Sequence, residues 1–228
     1  MHAAAVRNHR SSADFTTLRP RNEPSFDGSS VTVEYRGREC TRMRLFVSVD
    51  LPDDLAEPVA DLQDEFSDAS GLTVTDPEQA HVTLKFLGDV DGERVPDLES
   101  ELEAAVADAG VDPFTVRYGG LGVFPSLEYI SVVWFGTETG GEELTALHEA
   151  IEERTTEMGF EAESHEFTPH VTLARMEHAG GKELVQELVR EREPTVGETR
   201  VEEVRLTEST LTEEGPVYST VARFPLDE

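Results

Sequence analysis

The sequence predicts an α+β fold built from two similar lobes, and three observations carry that expectation. From Met43 onward, short alternating apolar runs are interleaved with longer, acid-faced amphipathic stretches, as in a chain that mixes strands and helices. The tetrapeptide H-V-T-L occurs twice, at 81–84 and 170–173, 89 residues apart, so each half holds one copy. The Gly- and Pro-containing links are short, which leaves no room for a long linker.

Residues 1–42 differ from the rest. They hold seven Arg and no Lys against five acidic residues, a net +2 against −31 for 43–228, with turn formers and no helical apolar period. The working domain is therefore expected to span 43–228. The preceding segment is either an upstream region translated from a misplaced start codon, the better fit, or a disordered tail, and VTVEY at 31–35 could add an edge strand. Met43 then opens MRLFVSVDLP, an alternating strand running into a helix start at Pro52-Asp53-Asp54. Periodicity predicts helices over 53–68, 93–108, 141–158 and 181–192, and strands over 44–50, 81–87, 114–119, 129–135, 170–175, 201–208 and 217–224.

Composition narrows the function. With 48 Asp plus Glu against 19 Lys plus Arg, the net charge is −29, and only Lys85 and Lys182 are lysines. A surface that coats nucleic acid through its phosphates is basic, so no extended nucleic-acid-binding surface is expected. Such acidity suits a halophilic, salt-loaded cytoplasm, where a Debye length of about 3 Å at ~1 M salt suppresses self-repulsion. Cys40 alone excludes an internal disulfide and a multi-cysteine zinc site. No stretch approaches the roughly 20 apolar residues of a membrane helix, so a cytoplasmic protein, monomeric and away from membranes, is expected.

On a strand, His and Thr of H-V-T-L share one face while Val and Leu share the other. One such pair is commonly just a hydrogen-bonded structural pair. Two identical cores, each followed by a basic residue (Lys85 and Arg175), point instead to two imidazoles and two hydroxyls meeting in one cleft. Because histidine titrates near ~6.5, one imidazole can act as acid while the other acts as base. Hydrolysis of a strained cyclic phosphate needs those two roles, with hydroxyls and a guanidinium to hold the nonbridging oxygens. No metal or other cofactor is called for.

At these residues the chain resembles the two-histidine (2H) phosphoesterase superfamily, and within it the LigT-like RNA 2′,3′-cyclic phosphodiesterases once described as 2′–5′ RNA ligases. MRLFVSVDLP is similar to the opening strand of that family, and HVTLKFLG at 81–88 and FTPHVTLAR at 167–175 match its two signature motifs in order and spacing. PFTVRYGGLGVFPS at 113–126 and STLTEEGPVY at 209–218 are similar to its later segments. The resemblance implies His81 as proton donor and His170 as proton acceptor. It also implies Thr83 and Thr172 as phosphate ligands, Arg175 as a further phosphate contact, and a 2′-phosphate product. The expected architecture is two pseudosymmetric lobes, each an antiparallel sheet backed by helices, with the site in the central groove. The expected partners are RNA ends or nucleotides bearing a 2′,3′-cyclic phosphate. Ligation, the reverse reaction, and a binding module without turnover are the alternatives.

The family commonly has an arginine just before the strand after F-P-S, where this chain has Glu128, which leaves base specificity open. Phe86, Phe124 and Tyr129 are candidates for base stacking, with core packing the favoured role for each. His165-Glu166-x-x-x-His170 is one residue too long for a zinc-protease signature and contains Pro169. Gly119-Gly120-Leu121-Gly122 reads as a turn, and His2, His9, His148 and His178 read as solvated.

Overall fold

The computed structural model describes residues 33–35, 38–40, 42–213 and 215–226. Strands β1 (Val33–Tyr35) and β2 (Arg38–Cys40) pair with each other in a two-stranded sheet of their own. VTVEY therefore does not extend the main sheet: the strand that follows, β3 (Arg42–Asp50), has both flanks taken, so the segment before it pairs locally. The expectation of a misplaced start or a disordered tail falls mostly on residues 1–32, 36–37 and 41, outside the described residues.

The remaining strands form one nine-stranded sheet. After β3 come β4 (Leu72–Val74), β5 (His81–Asp91), β6 (Phe114–Ser126), β7 (Tyr129–Thr139), β8 (Val171–Met176), β9 (Thr195–Val201), β10 (Glu203–Thr212) and β11 (Gly215–Pro225). Their order is β11-β10-β3-β5-β8-β7-β6-β9, with β4 also on β8, and every pairing is antiparallel. The halves β11-β10-β3-β5 and β8-β7-β6-β9 meet at the Val82–Val171 pair, one residue after each motif histidine. This is the α+β, two-lobed architecture that the duplicated motif predicts.

Four helices back the sheet: α1 (Ala56–Asp64), α2 (Val95–Ala109), α3 (Gly141–Glu157) and α4 (Lys182–Glu191). The lobes exchange helices. Helix α1 leaves β3 yet packs on β8 and β9, and α3 leaves β7 yet packs on β5 and on α2. In α2, Leu98, Leu102, Ala105 and Val106 fall at helical spacing and are buried. They join Leu144, Leu147 and Ile151 of α3 and the inward residues Val47, Val49, Val82, Leu84, Val133, Phe135, Val171 and Leu173 in a continuous core.

The helices lie close to the expected stretches, although a 3₁₀ turn at Asp53–Leu55 begins what periodicity read as one helix over 53–68. The stretch 201–208 is corrected to the end of β9 and the start of β10, two strands that an acidic residue between them makes look continuous. Gly119–Gly122 is not a turn. It lies inside β6, where Gly120, at φ +68°, sits at a register shift and donates its N–H to Pro194 O at 2.9 Å.

Candidate active site

The two motifs adopt the same local structure. His81 is directly opposite Asp50, Val82 opposite Val49 and Thr83 opposite Ser48, after which the register slips and Lys85 meets Val47. In the second lobe Val171 meets Phe135 and Thr172 meets Trp134, and after the same slip Ala174 meets Val133. Leu84 and Leu173 are thus the extra residues of two equivalent β-bulges. A bulge inverts the alternation beyond it. Lys85 and Ala174 therefore turn to the helix side and are buried, while Phe86 and Arg175 turn to the histidine side and are exposed.

This corrects the pairing of Lys85 with Arg175. Arg175 corresponds to Phe86, and Lys85 lies behind the sheet at 0% exposure, where its Nζ donates to Glu152 Oε2 at 2.5 Å and to Glu161 O at 2.7 Å. His148 is corrected as well: it is buried, its Nδ1–H donates to the bulge carbonyl Leu84 O at 2.7 Å, and its ring stacks on Phe167 at 4.1 Å. Its polar sequence neighbours concealed that it lies on the inner face of α3. His178 is exposed, and His2 and His9 lie outside the described residues.

Each motif histidine is fixed in the same way. His81 Nδ1 lies 2.8 Å from Gln79 O, and His170 Nδ1 lies 2.7 Å from Thr168 O, the carbonyl two residues back in both cases. A carbonyl only accepts, so Nδ1 carries the proton and Nε2 is the nitrogen left for chemistry. Aromatic rings wall both imidazoles. Phe46 and Tyr218 lie 4.9 and 5.1 Å from His81, and Phe124 and Trp134 lie 4.9 and 5.9 Å from His170. Gln79 also accepts from the Tyr218 N–H through Oε1 at 2.8 Å, tying β11 to the turn that orients His81.

Burial lowers both imidazoles from their ordinary value. For His81 the Gln79 carbonyl and Asp50 oppose the shift and Arg175 adds to it. For His170 the Thr168 carbonyl opposes it, the charge on His81 and on Arg175 adds to it, and Glu163 opposes it. The two histidines therefore sense each other and share one guanidinium. Among the described residues, the hydroxyls of Thr83 and Thr172 and the guanidinium of Arg175 have no hydrogen-bond or ion-pair partner, whereas most arginines of this acidic chain pair with carboxylates. Two Nε2 atoms, two free hydroxyls and a free cation on one side of the sheet suit a small anion.

A model of the 2′-5′ RNA ligase superfamily matches residues 51–213, which include both motifs. The chain belongs to this superfamily. Among its curated relatives, proteins named RNA 2′,3′-cyclic phosphodiesterase from Archaeoglobus fulgidus and Methanothermobacter thermautotrophicus are each 34% identical, over 80% and 81% of this chain and 99% and 100% of theirs. The relative of that name from Methanocaldococcus jannaschii is 29% identical over 80% of this chain and its own full length. A crystal structure of a Thermus thermophilus protein aligns with a TM-score of 0.67 at 29% identity, over 81% of this chain and 98% of that one. LigT of Escherichia coli, solved with 3′-AMP, shares the fold with a TM-score of 0.67 at 23% identity, over 82% and 99% of the two chains.

Within this superfamily member, sequence reasoning missed Asp50, Gln79, Trp134 and Tyr218, because a strand's neighbours cannot be read from the strand itself. Core packing, the role favoured for Phe86 and Tyr129, is overturned: they are 62% and 70% exposed. Phe124 is half-buried on the groove side, against Trp134 and His170, and is not part of the core either. Glu128 sits in the β6–β7 hairpin turn, its carboxyl lowered by a hydrogen bond from Ser126 and its backbone carbonyl bound by Lys182. Among the described residues no helix is long and apolar enough to cross a membrane.

Proposed function

We propose that the protein is a hydrolase that opens RNA-terminal 2′,3′-cyclic phosphates to 2′-phosphomonoesters by metal-independent two-histidine catalysis, acting on RNA ends or nucleotides. The observation that carries this reading is the pair of imidazoles with identically anchored Nδ1 atoms beside two free hydroxyls and a free guanidinium. The relatives named for this activity supply the substrate class. His170 Nε2 takes a proton from water, the oxygen attacks phosphorus, and the bond from phosphorus to the 3′ oxygen breaks. His81 Nε2 gives its proton to that oxygen, leaving a 2′-phosphate and a 3′-hydroxyl. Thr83, Thr172 and Arg175 hold the nonbridging oxygens, where charge grows in the transition state. Phe86, exposed on the same side as His81 and Thr83, offers a ring for a base.

The test is to incubate the protein with a nucleoside 2′,3′-cyclic phosphate and with a cyclic-phosphate-ended oligonucleotide, and to separate the products. A 2′-phosphate is expected from both. His81→Ala and His170→Ala should each cost ~10²–10⁴-fold in rate, and Thr83→Val and Thr172→Val less. No turnover by folded protein would leave a binding module, and near wild-type rates in either histidine variant would end the mechanism. The family description also carries ligation, so RNA halves bearing a cyclic phosphate and a 5′-hydroxyl belong in the same assay. A cytoplasmic monomer belongs to this reading too, checked by cell fractionation and light scattering.

A further inference from the structure

The two halves of the groove match in register but differ in chemistry. Beside β5, Asp50 stands opposite His81 and Ser48 opposite Thr83, and on the next strand out Arg205 stands opposite Ser48. Beside β8, Trp134 stands opposite Thr172 and Gly122 opposite Trp134, and continuing that register one step places Gly136 beside His170. Asp50, Ser48 and Arg205 in one lobe thus correspond to Gly136, Trp134 and Gly122 in the other.

The replacement is sterically correlated. A Cβ on Gly122 would lie 2.1 Å from Cζ2 of Trp134, and one on Gly136 would lie 3.3 Å from Cζ3. The indole fills the space that a side chain at position 122 would need. In the first lobe that space is polar. Arg205 Nη1 donates to Asp50 Oδ2 at 2.6 Å, Ser48 Oγ donates to Asp50 Oδ1 at 2.8 Å, and Ser48 Oγ lies 3.1 Å from Thr207 Oγ1. Ser48 and Thr207 are buried, so the carboxylate is held rigidly.

We propose that the Asp50, Ser48 and Arg205 cluster is a positioning device that makes His81 the protonated member of the pair, while Trp134 between two glycines keeps His170 the neutral one. The proposal rests on the acid–base reading of the two histidines and supplies what that reading lacks, a reason why two identically anchored imidazoles take opposite roles. His81 is faced by Asp50 from β3, Tyr218 from β11, and Arg175 and His170 from the second lobe. His170 is faced by His81, Arg175 and Glu163, and by the rings of Trp134 and Phe124. Glu163 also favours a charged imidazole, but it is exposed and solvent screens it. Asp50 is partly buried and held by two donors, so its charge acts at short range in a medium less polar than water.

The experiment is an NMR titration of isotope-labelled histidine ring signals in the full-length protein, assigned with His81→Gln and His170→Gln, alongside pH profiles of kcat/KM. His81 should titrate above His170. An acid must be protonated, so its titration sets the alkaline limb of the profile. Asp50→Asn should lower the His81 midpoint and move that limb to lower pH by about one pH unit, with His170 moving much less. Arg205→Met removes the cation beside Asp50 and should move both upward. A merely structural cluster would lower rate or stability in both variants and leave the limbs in place. An unmoved His81 midpoint in either variant, equal movement of both histidines, or a His170 midpoint above that of His81 would overturn the proposal. The titration needs no substrate, so absence of turnover in the wild type would refute the hydrolase reading while the titration still decides this one.

Discussion

Glu152→Gln should destabilise the protein far more than Lys85→Met, although both remove the same ion pair. Lys85 is fully buried, whereas 21% of the Glu152 side chain is exposed. The Gln variant leaves the ammonium enclosed in the core without a counter-charge, beside Glu161 O at 2.7 Å and a single amide oxygen that can serve either Lys85 Nζ or the Glu163 N–H but not both. Stranding a buried charge costs about 3–5 kcal/mol, and water reaching the Glu152 side places this case near about 3 kcal/mol. For a chain of this size that corresponds to a fall in Tm of roughly 6–12 °C. The Met variant removes the enclosed charge at similar volume and leaves a carboxylate that water and the Glu163 N–H, 2.7 Å from Oε1, can serve, a cost of about 1 kcal/mol. Burial alone would raise the Glu152 carboxyl, but Lys85 and the Glu163 N–H outweigh it and hold the carboxyl below its usual range. A lowered carboxyl stabilises the folded state above its unfolded value of about 4.3, and that contribution is lost as pH falls through the folded value. Thermal melts from pH 3 to 8, followed by the fluorescence of the single Trp134, measure both effects. Equal melting temperatures for the two variants, or a Gln variant within about 2 °C of wild type, would refute this account of Lys85.

Gly122→Ala should displace the indole of Trp134, cost about 1–3 kcal/mol by overpacking and shift the tryptophan emission; unchanged emission and Tm would contradict the contact. Deleting residues 1–41 should leave Tm and turnover near full-length values, because the nine-stranded sheet begins at Arg42; an insoluble or clearly less stable product would make the β1–β2 pair part of the domain. Activity should survive EDTA and rise with KCl from ~0.1 to ~3 M as the Debye length falls from about 10 Å to below 3 Å. Loss on chelation that added Mg²⁺ or Zn²⁺ restores, or steady inhibition by salt with unchanged fluorescence, would contradict that expectation.

Much of the fold was legible because burial imposes periodicity. Leu98, Leu102 and Val106 mark α2 as one-sided, and alternating Leu45, Val47 and Val49 mark β3. What periodicity could not show was pairing. β4 is three residues long, too short to alternate, and β9 carries Glu198 and Arg200 among its residues and resembles a loop. The exchange of α1 and α3 between lobes depends on which sheet face each helix reaches, and no local pattern encodes that.

The site was legible to a different depth. Duplication of H-V-T-L singled out His81, Thr83, His170 and Thr172 as candidates, and the register places the two motifs in equivalent positions of the two lobes. A basic residue just beyond each motif then misled at the next step, since Lys85 follows His81 by four residues and Arg175 follows His170 by five, so the two are not equivalent positions. Lys85 corresponds to Ala174 and Phe86 to Arg175; the bulges at Leu84 and Leu173 turn the first pair to the helix side and the second to the histidine side, and a bulge is a property of two strands. The same logic explains why the motifs cannot tell acid from base. Within each motif the anchoring carbonyl, hydroxyl and bulge are the same, so any difference must come from adjoining strands. There the sequence holds a carboxylate at Asp50 and a glycine at Gly136, thirty-one residues before His81 and thirty-four before His170. Only the register of β3 with β5 and of β7 with β8 makes those distant residues answer to one another.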